Sequence, residues 1–119
     1  MRYMLFIKHA DDINVEKVPQ GLMDAMGEFV GKGFKDGTIV DTAGLQPTKA
    51  ATRVALAGGK LKVMDGPFTE AKEVVGGYAI IEAKSNKEAI DYATKFMELH
   101  RVHWPEFEGA CEVRPLEQT

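Results

Sequence analysis

The sequence predicts an α+β fold, an antiparallel sheet with two helices on one face and an extra hairpin. Three observations carry this. Short apolar runs with strand periodicity occupy residues 2–8 and 78–83 and flank Gly58-Gly59. Apolar residues recur at helical spacing from Leu22 to Phe34 and again from Ala89 to Met97. Together the segments come in the order strand, helix, strand, hairpin, strand, helix, strand, which is a ferredoxin-like layout with extra strand material in the middle.

Residues 2–8 place Tyr3, Leu5 and Ile7 on one side and Met4 and Phe6 on the other, so neither face is destined for water. Pro19 is tolerated in a first helical turn, and Leu22, Met26, Phe29, Val30 and Phe34 then share one helical face, with Gly33 and Gly37 expected to end the helix. Residues 38–42 form a short strand and Gly44-Leu45-Gln46-Pro47 a loop. Residues 51–57 and 60–64 alternate around Gly58-Gly59, a two-residue connection that supplies the positive φ angles of a type I′ turn. Residues 78–83 are again apolar on both sides, Tyr78 and Ile80 against Ala79, Ile81 and Ala83.

Ser85-Asn86-Lys87-Glu88 has the form of a capping box, and Ala89, Ile90, Ala93, Phe96 and Met97 make the buried stripe of the helix it opens. Pro105 disfavours helical geometry at Trp104, so this helix is expected to stop a few residues earlier, before a last short strand at residues 112–115. There is no repeat, low-complexity tract or linker, and residues 1–119 are expected to form a single domain. Two helices cover only one sheet face, whereas the strands are apolar on both. This predicts a homodimer packed sheet to sheet.

With 45% hydrophobic and 28% charged residues the composition is that of a globular protein rather than a disordered or membrane one. A net charge of −3 gives no cationic field to hold a phosphate backbone, so direct nucleic-acid binding is not expected. The one cysteine, Cys111, fits a reducing compartment and reads as a small buried hydrophobe. Residues 3–7 are too short an apolar run for a signal peptide or a membrane span, and a cytoplasmic protein with no membrane contact is expected.

The densest chemistry lies at residues 65–78: Asp65-Gly66-Pro67-Phe68, then Thr69-Glu70-Ala71-Lys72-Glu73, then Gly76-Gly77-Tyr78. This stretch, with the Lys87-Glu88-Ala89-Ile90 helix start, the opening Met1-Arg2-Tyr3-Met4, Gly44-Leu45 and the terminal Glu112-Val113-Arg114-Pro115, resembles the YCII-related family, in its DGPF-type branch. The resemblance implies a subunit that pairs into a dimeric α/β barrel, a scaffold whose wider relatives include isomerases, monooxygenases, lyases and plain ligand binders. Better-understood YCII-type relatives use a His and Asp pair with the His in the first helix. Here that helix carries Asp24 and Glu28 but no histidine, so the role does not carry over.

Asp65 sits at a strand end, where its carboxylate either closes a turn or stands at a cleft mouth as an acid or base. Glu70, Lys72 and Glu73 form either a solvated ion cluster or a site in which Lys72 holds an anionic group while Glu70 handles a proton. His100 continues the stripe Ala89, Ala93, Phe96, and His103 follows three residues on. The pair either caps the helix end or supplies an acid and base walled by Trp104 and Phe107. No third ligand stands at a diagnostic spacing for a metal, and no metal is expected. His9, followed by Asp11-Asp12, reads as part of a solvated loop, and Arg114 as an ion-pair partner or anion clamp. No nucleotide-binding glycine pattern, nucleophile elbow or paired cysteine motif is present, and no cofactor is implied.

The expected function is therefore that of a homodimer binding a small organic molecule in a pocket, as a cofactor-independent lyase or isomerase working by proton transfer. Asp65, Glu70, His100 and His103 are the candidate catalytic groups, and Lys72, Glu73, Tyr78 and Trp104 the candidate ligand contacts. The alternatives are a ligand-binding module without turnover and, since DGPF-type relatives are linked with sigma-factor-like proteins, an accessory protein in transcription.

Overall fold

The computed structural model describes residues 1–10, 17–68 and 71–117. Its elements in chain order are β1 (Arg2–His9), α1 (Gln20–Lys35), β2 (Ile39–Gly44), β3 (Thr52–Ala57), β4 (Lys60–Asp65), β5 (Val74–Glu82), α2 (Asn86–His103) and β6 (Gly109–Pro115), with a 3₁₀ turn at Thr48–Ala50. Four strands form an antiparallel sheet in the order β2-β5-β1-β6, and β3 and β4 form a second, two-stranded sheet. Apart from that inserted hairpin, the order is the ferredoxin-like one.

Register decides which residues meet the helices. Tyr3 pairs with Ile81 and Pro115, Leu5 with Ala79 and Val113, and Ile7 with Gly77 and Cys111. These positions share one face, and Tyr3, Leu5, Ile39, Ile81 and Ala83 form the core there with Ala89 and Ala93 of α2. The two alanines let α2 approach the sheet closely. Leu22 of α1 and Ile81 of β5 are almost wholly removed from water, each contributing about 1.5–3 kcal/mol. The opposite face receives neither helix. Met4 and Phe6 there lie across from Ile80 and Tyr78, all four half-buried, within a border of ion pairs: Arg2 to Glu82, and Lys8 to Glu73 and Glu112. The sheet is thus apolar on both sides, as its sequence predicts.

Several boundaries differ from the sequence expectation. Gly33 does not end α1; it is buried inside it, where a Cβ would stand 2.5 Å from Ile39 Cδ1 and 2.6 Å from the Tyr92 hydroxyl. The helix ends at Lys35, and Gly37 (φ 82°) takes the left-handed turn out. Ser85 Oγ accepts the Glu88 amide, as a helix start should, but α2 runs through His103 rather than stopping short. Only Trp104, at φ −144° and ψ 70°, leaves helical geometry, because a proline constrains the single residue before it and no more. β5 starts at Val74 and β6 at Gly109, both earlier than apolar patterning alone indicates, since Gly76, Gly77 and Gly109 offer no side chain to read.

The Asp65-Gly66-Pro67-Phe68 tetrapeptide ties down the root of the hairpin. Asp65 Oδ1 accepts the Thr52 hydroxyl at 3.3 Å, and the Gly66 amide donates to Ala51 O at 2.8 Å. The Gly66-Pro67 bond is cis, and the Phe68 ring lies 3.9 Å beneath the Arg53 guanidinium carbon. A Cβ on Gly66 would stand 1.8 Å from Thr48 O, so only glycine fits against that backbone.

Candidate functional site

A cavity of about 390 Å³ opens between the two helices and the four-stranded sheet. Its walls are apolar, with Leu5, Leu22, Met26, Phe29 and Ile39 toward the interior and Trp104 and Phe107 at the end of α2. Among its described lining residues there is no Asp, Glu, Lys or Arg, and the polar side chains present include Thr42, His9 and His100.

His100 is held on three sides. Its ring lies 5.0 Å from both Phe96 and Phe107, and Trp104 stacks on Phe107 at 5.2 Å. Its Nδ1 sits 3.1 Å from Phe96 O, one turn back along α2. A carbonyl only accepts, so the proton is on Nδ1 and Nε2 is the nitrogen left with a lone pair. Burial pushes the His100 pKa below its ordinary 6.5, although the bond to Phe96 O favours the proton; the neutral ring predominates at neutral pH.

His9 reaches the same cavity from the end of β1. Its Nδ1 lies 2.7 Å from Ala10 O, which fixes the same tautomer, and its ring occupies the space above Gly76, where a Cβ would fall 2.4 Å from Nε2. Two imidazoles, each with Nδ1 turned onto a backbone carbonyl, therefore line one apolar hollow. Cys111 lies in the wall with its thiol pushed up to about 11 by burial, which keeps it protonated and unreactive at neutral pH.

The structure distributes the residues singled out in the sequence between two places. His100 and Trp104 line the cavity; Tyr78 borders it from β5, but its ring belongs to the opposite sheet face beside Phe6, where its hydroxyl donates to Asp41 Oδ2 at 3.0 Å. His103 is exposed, its Nδ1 beside Gly21 of α1. Asp65 and Lys72 are exposed and outside the cavity lining, and Glu73 pairs with Lys8 at 3.7 Å. Glu70, and the Asp11-Asp12 pair beyond His9, lie outside the described residues. His9 is the cavity residue that the loop reading missed. Its parity was the available signal, since it extends the series Tyr3, Leu5, Ile7 that faces the helices. Among the described residues no cluster of His, Cys, Asp and Glu could hold a metal ion, and no helix is long and apolar enough to cross a membrane.

Comparison with known proteins places this fold. The model of the YCII-related domain matches residues 1–96. The chain belongs to the YCII-related family. An uncharacterised protein of Rhizobium meliloti is 38% identical to it over 101 residues, 85% of this chain and 74% of that relative. In this YCII-related chain the matched stretch carries His9 and most of the sheet, whereas His100, Trp104, Phe107 and Cys111 lie beyond it.

Proposed function

We propose that this YCII-related protein, a homodimer of the DGPF-type branch, binds a neutral, largely apolar small molecule that donates a hydrogen bond. The observation that supports this is a pair of histidines with their Nδ1 protons engaged, lining an apolar cavity whose described residues bring no formal charge. A cavity of about 390 Å³ suits a molecule of one or two rings. A ligand N–H or O–H meets the His100 lone pair in surroundings where an unmet donor costs about 1–3 kcal/mol. Where the ligand carries an acidic proton, His100 Nε2 is the base that takes it and, once protonated, the acid that returns it to another atom of the ligand or to its leaving group, which is the chemistry of a cofactor-independent isomerase or lyase. Without such a proton the same site is a binding module, and the two readings part on whether the ligand is recovered changed.

The test compares indole with 1-methylindole, which differ by one donor. Calorimetric titration is expected to show indole binding several-fold more tightly, and the difference to vanish in His100→Phe. Equal affinity of both for the unmodified protein would remove the acceptor role of His100, and no binding of either would remove the cavity as the site. Asp65 and Lys72 are exposed in the protomer, and the candidate role of these charges is at the rim of the paired subunits rather than at the reacting atoms.

A further inference from the structure

The hairpin carries an apolar face that the described remainder of the chain leaves open. Val54, Leu56, Leu61 and Val63 are 65%, 70%, 73% and 67% exposed. Register pairs Val54 with Val63 and Leu56 with Leu61, so all four project from the same side as one patch. On the other side Arg53, Ala55 and Met64 are half-buried, with Arg53 over Phe68, so the covered side is the one turned toward the hairpin's own root. A lone two-stranded sheet is marginally stable in water, and this one gains no ladder bond from the four-stranded sheet. The chain is also extended for its length, with a radius of gyration of 15.9 Å where a compact domain would have roughly 13.5 Å.

We propose that this face of the hairpin is a contact between two copies of the chain, seated on the second copy when the four-stranded sheets pair; it rests on the homodimer reading above. Three features select that occupant. The four side chains of the patch are aliphatic, Lys60 and Lys62 belong to the opposite side, and the one charge on this side, Asp65, stands at the root of the hairpin paired with Thr52, so the patch itself offers a charged partner little complement. Within the protomer valine lies beside valine and leucine beside leucine, so a second copy would present the same aliphatic surface, which suits a contact between identical chains.

Area supplies the third feature. Four such side chains offer on the order of 400 Å² per copy, about half of the ~800 Å² per partner that a stable complex buries. The sheet face with Met4, Phe6, Tyr78 and Ile80 is the other uncovered apolar surface of the same chain. One copy that covers both reaches the size that neither reaches alone.

Analytical ultracentrifugation of the full chain at micromolar concentration tests this, with Leu56→Glu/Leu61→Glu beside Ile80→Glu and the unmodified protein. The hairpin variant is expected to raise the dimer dissociation constant at least tenfold with unchanged far-ultraviolet circular dichroism, because both positions are exposed in the protomer. In the unmodified protein, amide exchange across residues 52–65 is expected to slow as concentration rises. A hairpin variant that dimerises as tightly as the unmodified protein, while Ile80→Glu dissociates, overturns the hairpin contact and leaves the sheet pairing standing. An unmodified protein that stays monomeric overturns both and assigns the patch to a partner of different sequence.

Discussion

The helix side of the four-stranded sheet and the outer side of the β3–β4 hairpin are made of the same kinds of residue, yet one is sealed and the other is open. Ile81, near the end of β5, is wholly buried, whereas Leu61 in β4 is 73% exposed. Leu61 sits between Lys60 and Lys62 and Ile81 between Ile80 and Glu82, and both pair across an antiparallel ladder. The difference comes from what lies above them. α2 brings Ala89 and Ala93 down onto Ile81, and among the described residues no helix packs over the hairpin. Alternation tells which side of a strand avoids water; it does not tell whose atoms will cover it.

The sharpest way to break this comparison is to truncate one residue on each side. Ile81→Ala is expected to lower unfolding free energy by about 3 kcal/mol, through lost burial and the cavity left behind. Leu61→Ala is expected to change it by less than about 0.5 kcal/mol when measured by urea denaturation at concentrations low enough to keep the protein monomeric. A large loss from Leu61→Ala under those conditions would mean that the protomer itself covers the hairpin.

A second pair of substitutions separates a crowded glycine from an open one. Gly66→Ala forces a Cβ against Thr48 O and is expected to cost about 1–3 kcal/mol. Gly27→Ala, inside α1 with nothing within 4 Å, is expected to stabilise by about 0.5–1 kcal/mol. Denaturation midpoints that move in the same direction would contradict the close packing at the hairpin root.

The smallest effect is a slope. Burial holds His100 below its ordinary 6.5, so between that value and the lower folded one the unfolded chain binds a proton that the folded chain refuses. The contribution is complete above 6.5 and is lost as pH falls through that window. Melting temperature is therefore expected to drop more steeply on acidification from about pH 7.5 to about pH 5.5 in the unmodified protein than in His100→Phe. Identical slopes would show the ring to be as solvated folded as unfolded.

Local chemistry was the legible part of this sequence. Gly58-Gly59 announced the hairpin, Ser85 and Glu88 the start of α2, and the two-sided apolar strands the centre of the sheet. The site was less legible because it is assembled by distant pairings. β1, β5 and β6 meet through ladders that join residues such as Leu5 with Ala79 and Val113, and no window of sequence contains them together. The charges at residues 65–73 are dense, but density of charge favours water, and Asp65, Lys72 and Glu73 are all exposed. His100, one polar residue in an apolar stripe, was visible by helical spacing, and its place depended on α2 continuing to His103.

β5 holds one residue more than β1 can pair with: Ile7 faces Gly77 and Lys8 faces Val75, which leaves Gly76 as a bulge. That surplus residue is also the floor under the His9 imidazole. Removing it would keep the β1 partners in register but lose the bond from Leu45 N to Gly76 O, while straightening the strand and closing the recess beneath the ring. The stretch of cavity wall where His9 and Gly76 meet is thus shaped by a single insertion that the ladder tolerates, and a change of length at this point would alter the shape offered to a guest while the β1–β5 framework persists.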